Sequence, residues 1–184
     1  MYFLLLIITI FWLTKDNNLV CLIHALATSC ISISRIPYLI DPSTNITDSN
    51  SLGVFCASLT LQYMVFDLVN VLNKLDFLLH HILAIMASCF VLYFQVYETL
   101  VLYIELNEIS TIFLSLASMK IFRAFSRPLF VICFILFRIV WLLWVLLNKN
   151  TSSLFISYML YVHYALQVYW LHKIYKLMIA RRNL

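Results

Sequence analysis

The chain is poor in residues that interrupt a helix and in residues that keep a protein in water. Its 184 residues contain one glycine, Gly53, and three prolines, Pro37, Pro42 and Pro128. Charged side chains are 11% of the total, against about a quarter in soluble domains. So few breakers leave long helices uninterrupted, and so little charge excludes an ordinary soluble fold. There is no internal repeat and no low-complexity tract. The basic residues are spread over short loops with no extended basic domain, so the net charge of +4 does not indicate nucleic-acid binding. The five cysteines (Cys21, Cys30, Cys56, Cys89 and Cys133) all lie in apolar segments, and none is paired at metal-ligand spacing. They read as small packing residues and say nothing about redox compartment.

What the chain has is grease. Hydrophobic residues make up 64% of it and the mean hydropathy is +0.98. Apolar segments run at 1–14, 18–36, 52–73, 76–97, 99–119, 127–148 and 154–178. Runs of about 20 apolar residues match the bilayer core, where every backbone N–H and C=O must be paired internally. The expected fold class is therefore all-α and polytopic, with six firm membrane helices and little room for a soluble domain. The first segment is short. At about 1.5 Å per residue it reaches about 20 Å of a core of about 30 Å. It spans with local thinning and a snorkelling Lys15, or it inserts halfway. It lacks the charged start and cleavage site of a signal peptide.

Lysine and arginine set the orientation. Lys15, Lys74, Lys120, Arg123, Arg127, Lys173, Lys176, Arg181 and Arg182 fall on one side, and Arg35 and Lys149 on the other. The positive-inside rule puts the C-terminus in the cytosol. The sequons Asn45-Ile46-Thr47 and Asn150-Thr151-Ser152 both then fall on the non-cytosolic side, which suits glycosylation acceptors.

The ionisable residues within the apolar segments are the functional candidates, because such groups are costly in a bilayer. His80 and His81 lead. Histidine titrates near neutral pH and serves as base, nucleophile or ligand. Asp76 shares a helix face with His80. It reads equally as a helix N-cap, since aspartate satisfies free backbone N–H groups there. Asp67 lies in the preceding segment. Glu105, Glu108, Thr111, Ser115 and Ser118 fall on one side of the fifth, as a substrate groove or as helix-packing glue. Arg138 is near the middle of the sixth and is the natural counter-ion for Glu105 or Glu108. His163 and Gln167 are four apart on the seventh, where a histidine is more often an interhelical hydrogen-bonder than a ligand. His24 and His172 read as packing or interface residues. The tyrosines and tryptophans of the seventh segment partly reflect interfacial belts. Five histidines, only two of them close in sequence, make a metal site the poorer reading.

These residues resemble the TLC domain family, which includes ceramide synthases and less understood membrane proteins. The resemblance covers about residues 50–178. It runs through LQYMVFDLVNVL with Asp67, LDFLLHHILAI with Asp76, His80 and His81, and ELNEISTIFLSL with Glu105, Glu108, Ser110 and Thr111. It ends in FILFRIVW with Arg138 and ALQVYWLHKIYK with Gln167, Trp170 and Lys173. It implies a six-helix bundle, barrel-like around a lipid-accessible cavity, in which segment 18–36 of the N-terminal region 1–36 packs with the 50–178 core, the short first segment is an extra helix, and a basic tail follows at 179–184. In ceramide synthases the paired histidines lie where an acyl group passes from acyl-CoA to a sphingoid amine. The later His-Asp of that motif falls here on Asn107-Glu108, and a further Asp on Thr111, which favours the branch outside the ceramide synthases.

The leading expectation is a protein that handles acyl lipids or sphingolipids in a polar cavity and contributes to membrane lipid homeostasis. Glu105, Thr111, Arg138, His163 and Gln167 would contact the substrate. The alternative is an acyl-CoA-dependent N-acyltransferase in which His81 is base or acyl acceptor and His80, Asp67 or Glu108 orient it. No cofactor is expected, and acyl-CoA enters only as a substrate. A proton-coupled carrier is a weaker reading, since the sequence shows no inverted repeat and no helix broken by glycine or proline. The expected partners are membrane lipids, with a homo-oligomer as a further arrangement. The expected location is the endoplasmic reticulum or another endomembrane, where the terminal Arg181-Arg182 resembles a weak retrieval signal.

Overall fold

The structure is a computed structural model that describes residues 16–149 and 153–182. The first apolar segment, Lys15, the sequon at 150–152, the side chains of Arg181 and Arg182, and the last two residues lie outside the described residues.

The described chain is all helix and loop, in the order expected from the apolar segments. Helix α1 is Asn17–Ser34, a short α2 is Ile36–Leu39, α3 is Ser51–Val71 and α4 is Leu75–Phe94. The fifth segment divides into α5, Glu98–Glu105, and α6, Glu108–Ser118. The sixth forms α7, Arg123–Cys133, a π-helical stretch Phe134–Trp141, and α8, Leu142–Asn148. The seventh is α9, Leu154–Arg182. Starts follow capping chemistry where a cap is present. The Asp16 carboxylate accepts the Asn18 N–H at 2.8 Å, and Asn50 Oδ1 accepts those of Leu52 and Gly53. Asp76 is not a cap. Lys74 holds the N-cap position of α4, and Asp76 sits inside the first turn, turned toward α9.

The chain is an integral membrane protein by its helices. Five of them, counting α5–α6 and α7–α8 as one each, are long and apolar enough to cross a bilayer among the described residues. The bundle is arranged for lipid. Leu26, Ile33, Phe55, Val69 and Leu79 are exposed, while the inner face of α1 is small and polar, with Ala25, Thr28, Ser29 and Ser32 buried. Small and polar residues let helices approach closely where water offers no driving force between them. Helix α1 packs on α6 and α3, α3 on α4 and α5, α6 on α7, and α9 along α4 and the π stretch. Gly53 is where α3 and the start of α5 meet. A Cβ there would lie 2.0 Å from the Glu98 carbonyl oxygen.

The two ends differ. At one, Tyr103 Oη donates to the Leu39 carbonyl at 2.5 Å, and Lys149 Nζ donates to the carbonyls of Asp41 and Thr44. Glu98 accepts from the Ser49 hydroxyl and the Asn50 N–H. In this loop the Ser43 hydroxyl and N–H donate to Asp41 and hold its carboxyl below the ordinary range. The opposite end carries Lys74, Lys120, Arg123, Arg127, Lys173 and Lys176.

Candidate functional site

The centre of the site is a broken helix and the arginine that repairs it. At Leu106–Asn107 the backbone tightens, and the Asn107 N–H goes to the Ile104 carbonyl at 2.9 Å instead of one residue further back. That releases the Tyr103 carbonyl, while the Asn107 carbonyl takes the Ser110 N–H at 3.2 Å and the Ser110 hydroxyl at 2.9 Å. Unpaired carbonyls are not tolerated at membrane depth. The π stretch supplies a donor to each of the two. Trp141 Nε1 donates to the Tyr103 oxygen at 2.9 Å, and Arg138 Nε to the Asn107 oxygen at 3.2 Å. The wider π turn keeps residues four apart on one face, and it buries Phe134, Arg138 and Leu142 together. Such widened turns recur at functional sites.

Arg138 is buried and gathers four further partners. Nε donates to Ser110 Oγ at 2.7 Å, Nη1 to Gln167 Oε1 at 3.2 Å, and Nη2 to Thr111 Oγ1 at 2.7 Å and Glu108 Oε1 at 3.5 Å. The counter-ion is thus Glu108. Glu105 is held elsewhere, by the Thr60 hydroxyl at 2.5 Å. With Thr60 donating there, its oxygen accepts from His24 Nε2 at 3.2 Å. His24 is fully buried, stacked on Tyr63 with ring centroids 4.3 Å apart, and its Nδ1 has no partner.

The arginine also sets a chain of hydrogen-bond polarity. Because Gln167 Oε1 accepts from Arg138, its Nε2 faces His163 Nε2 at 3.2 Å and donates. That makes His163 Nε2 an acceptor, so Asn107 must turn its Nδ2 toward it, at 3.3 Å. Asn107 Oδ1 then points away with no partner, although it is buried. Asn107 lines a cavity of about 80 Å³ together with Thr60, His80, Glu105, Glu108 and Arg138. His80 Nδ1 is likewise buried without a partner. The His80 ring sits edge-on to Trp170 at 5.3 Å and against His163 at 5.7 Å.

His81 points elsewhere. Its Nδ1 faces the Phe77 carbonyl at 2.9 Å and its Nε2 faces Asp67 Oδ2 at 3.1 Å. Both partners are acceptors, so the pair carries one proton between Nε2 and Oδ2 while Nδ1–H binds the carbonyl. Asp67 is further held by Asn70 at 2.9 Å. Asp76 accepts from Trp170 Nε1 at 2.8 Å and Lys173 Nζ at 2.9 Å, which ties the start of α4 to α9.

Of the expected site residues, His80, Glu105, Glu108, Arg138 and His163 converge on one cavity. Thr111 and Gln167 reach it through Arg138, and the Asp67–His81 pair lies outside its lining. Ser115 is buried on the inner face of α6, whereas Ser118 is exposed. His24, Thr60 and Asn107 are members that sequence reading passed over. A signal for His24 exists in the stripe His24, Thr28, Ser32, four apart and all buried. Among the described residues, no three His, Cys, Asp or Glu side chains converge to hold a metal ion.

No protein-family model matches the chain, and no curated protein or solved structure matches it.

Proposed function

We propose that the chain is a TLC-like membrane protein that handles acyl lipids or sphingolipids, holding a polar headgroup in the chamber around Asn107. The observation that supports this is the chamber's unused hydrogen-bonding capacity. Asn107 Oδ1 and His80 Nδ1 are buried and unpartnered beside the carboxylates of Glu105 and Glu108. Buried polar atoms without partners are rare and call for an explanation. A headgroup that donates N–H or O–H groups answers them. About 80 Å³ is far below the roughly 300–1,000 Å³ of pockets that enclose whole ligands. The chamber therefore takes a headgroup, and the chains stay among the lipid-facing helices. In this reading the basic end is cytosolic and the compartment is the endoplasmic reticulum or another endomembrane.

The second reading is an acyl-CoA-dependent N-acyltransferase. Its support is that His80, on the chamber wall, keeps a ring nitrogen unpartnered, whereas both nitrogens of His81 are occupied. His80 would take the amine proton as the nitrogen attacks the thioester carbonyl, and coenzyme A would leave with a proton. His81 and Asp67 would brace the helix.

Cells lacking endogenous ceramide synthases, fed labelled fatty acid and sphingoid base, separate the two. Lipids would be compared by mass spectrometry with the parent chain, His80→Ala and Asn107→Leu. Headgroup binding predicts a lipid class that co-purifies with the parent, is lost in Asn107→Leu, and forms no labelled amide. Labelled ceramide made by the parent and lost in His80→Ala would replace that reading with the acyltransferase. Identical lipid profiles and no co-purifying lipid, from well-expressed protein, would refute both.

A further inference from the structure

The basic end holds a second cavity that shares no lining residue with the chamber. It is a groove of about 530 Å³ between α6, α7 and α9. Its lining includes apolar Leu114, Ile174 and Leu177 and basic Lys120, Arg123 and Arg127. Among the described residues no carboxylate lines it. The loop that carries Lys120 is shaped by left-handed backbone at Lys120 (φ 63°) and Phe122 (φ 45°). Phe122 and Phe125 of the same stretch are 77% and 70% exposed, as aromatics are at a membrane interface.

We propose that this groove seats one anionic phospholipid of the adjoining leaflet, with its phosphate at Lys120, Arg123 and Arg127 and an acyl chain along Leu114 and Leu177. Orientation signals alone explain cations at this end, but they do not explain why three converge on one groove. Lys74 and Lys176 serve the same signal outside it. The charge selects an anion, since a choline ammonium would face the same cations. The apolar lining selects a lipid over a soluble phosphate, because exposed Leu114 and Leu177 offer a soluble anion nothing. Basic pockets at the cytosolic ends of membrane helices recognise lipid headgroups in this way. The proposal stands apart from whatever the chamber binds.

The test is native mass spectrometry of the full chain in detergent, titrated with dioleoyl phosphatidylglycerol or dioleoyl phosphatidylcholine. One phosphatidylglycerol should be retained at concentrations where phosphatidylcholine is not. Lys120→Gln/Arg123→Gln should weaken that binding about tenfold or more, because each basic residue near a lipid surface contributes measurably. Lys74→Gln/Lys176→Gln removes the same charge at the same end and should leave it unchanged. If the groove double variant does not fold, exposed Lys120→Gln alone should still weaken binding several-fold. Equal retention of both lipids, parent-like binding by the groove variants, or displacement by free coenzyme A at the same concentration would overturn the proposal.

Discussion

Arg138→Met is the most informative single change in this chain. Methionine keeps the length and apolar stem but removes every donor. Ser110 Oγ remains bonded to the Asn107 carbonyl at 2.9 Å, so that backbone group keeps a partner. The Thr111 hydroxyl can turn, and Gln167 can rotate. Glu108 has no such escape. Its carboxylate sits beside Arg138 with side-chain exposures of 12% and 9%, and its arginine contact disappears. Breaking a buried ion pair by removing one partner costs about 3–5 kcal/mol, whereas replacing both partners by apolar residues is often neutral. A chain of this length shifts its melting temperature by about 2–4 °C per kcal/mol, so Arg138→Met should melt about 6–20 °C below the parent.

The same reasoning predicts that Arg138→Met/Glu108→Leu recovers most of that loss. The assay is thermal unfolding in detergent, read with a thiol-reactive dye on a Cys30→Ser/Cys89→Ser background, because those two thiols are exposed whereas Cys56 is buried and becomes reactive on unfolding. A single variant melting within about 2 °C of the parent would show that the pair carries little net energy. A double variant no more stable than the single would show that the lost carbonyl and hydroxyl bonds, not the stranded carboxylate, carry the cost. Either result refutes the account of the site given above.

Gly53→Ala places a methyl 2.0 Å from the Glu98 carbonyl oxygen. Overpacking of this kind costs about 1–3 kcal/mol, and the same melting assay should show Gly53→Val worse still. Trp170→Phe should destabilise more than Lys173→Met. Both lose a bond to Asp76, but Lys173 is 46% exposed and exposed pairs contribute about 0–1 kcal/mol. A melt in which the lysine change is the larger would contradict that ordering. Asn45 and Thr47 are exposed in the loop opposite the basic end. In microsomes the chain should run as a glycoprotein whose endoglycosidase-sensitive shift shrinks in Asn45→Gln, and a shift that never appears would count against a lumenal loop.

The spans were legible because apolar length is a one-dimensional property. The expected segments at 52–73 and 76–97 match α3, Ser51–Val71, and α4, Leu75–Phe94, to within a few residues. The break at Leu106–Asn107 was not legible. No glycine or proline marks it, and the donors that permit it, Arg138 and Trp141, come some thirty residues later from a helix with a widened turn. Arg138 as an inward-facing cation could be read from cost alone, and its choice of Glu108 over Glu105 could not. That choice depends on Thr60 of α3 reaching Glu105 first. Likewise the adjacent histidines looked like one unit, but consecutive helical residues point about 100° apart. His80 faces the chamber and His81 faces Asp67.

The group that stabilises the bundle also decides what the chamber asks of a ligand. Arg138 must bind Gln167 by oxygen, because a guanidinium has no acceptor. Everything downstream follows from that one constraint: Gln167 donates to His163, His163 Nε2 accepts, Asn107 turns its amide nitrogen to it, and Asn107 Oδ1 is left without a partner. Beside that oxygen stand two carboxyl groups, of which only Glu108 has a guanidinium partner. Asn107 Oδ1 is therefore a buried acceptor that wants a donor. A ligand that brings hydroxyl, amide or ammonium hydrogens completes it, and one that brings only ester or phosphate oxygens does not. Phosphate belongs at the other cavity, whose lining includes Lys120, Arg123 and Arg127. On the proposed reading, the chamber would take a donor-bearing lipid headgroup and the basic groove an anionic one, the two being told apart by charge.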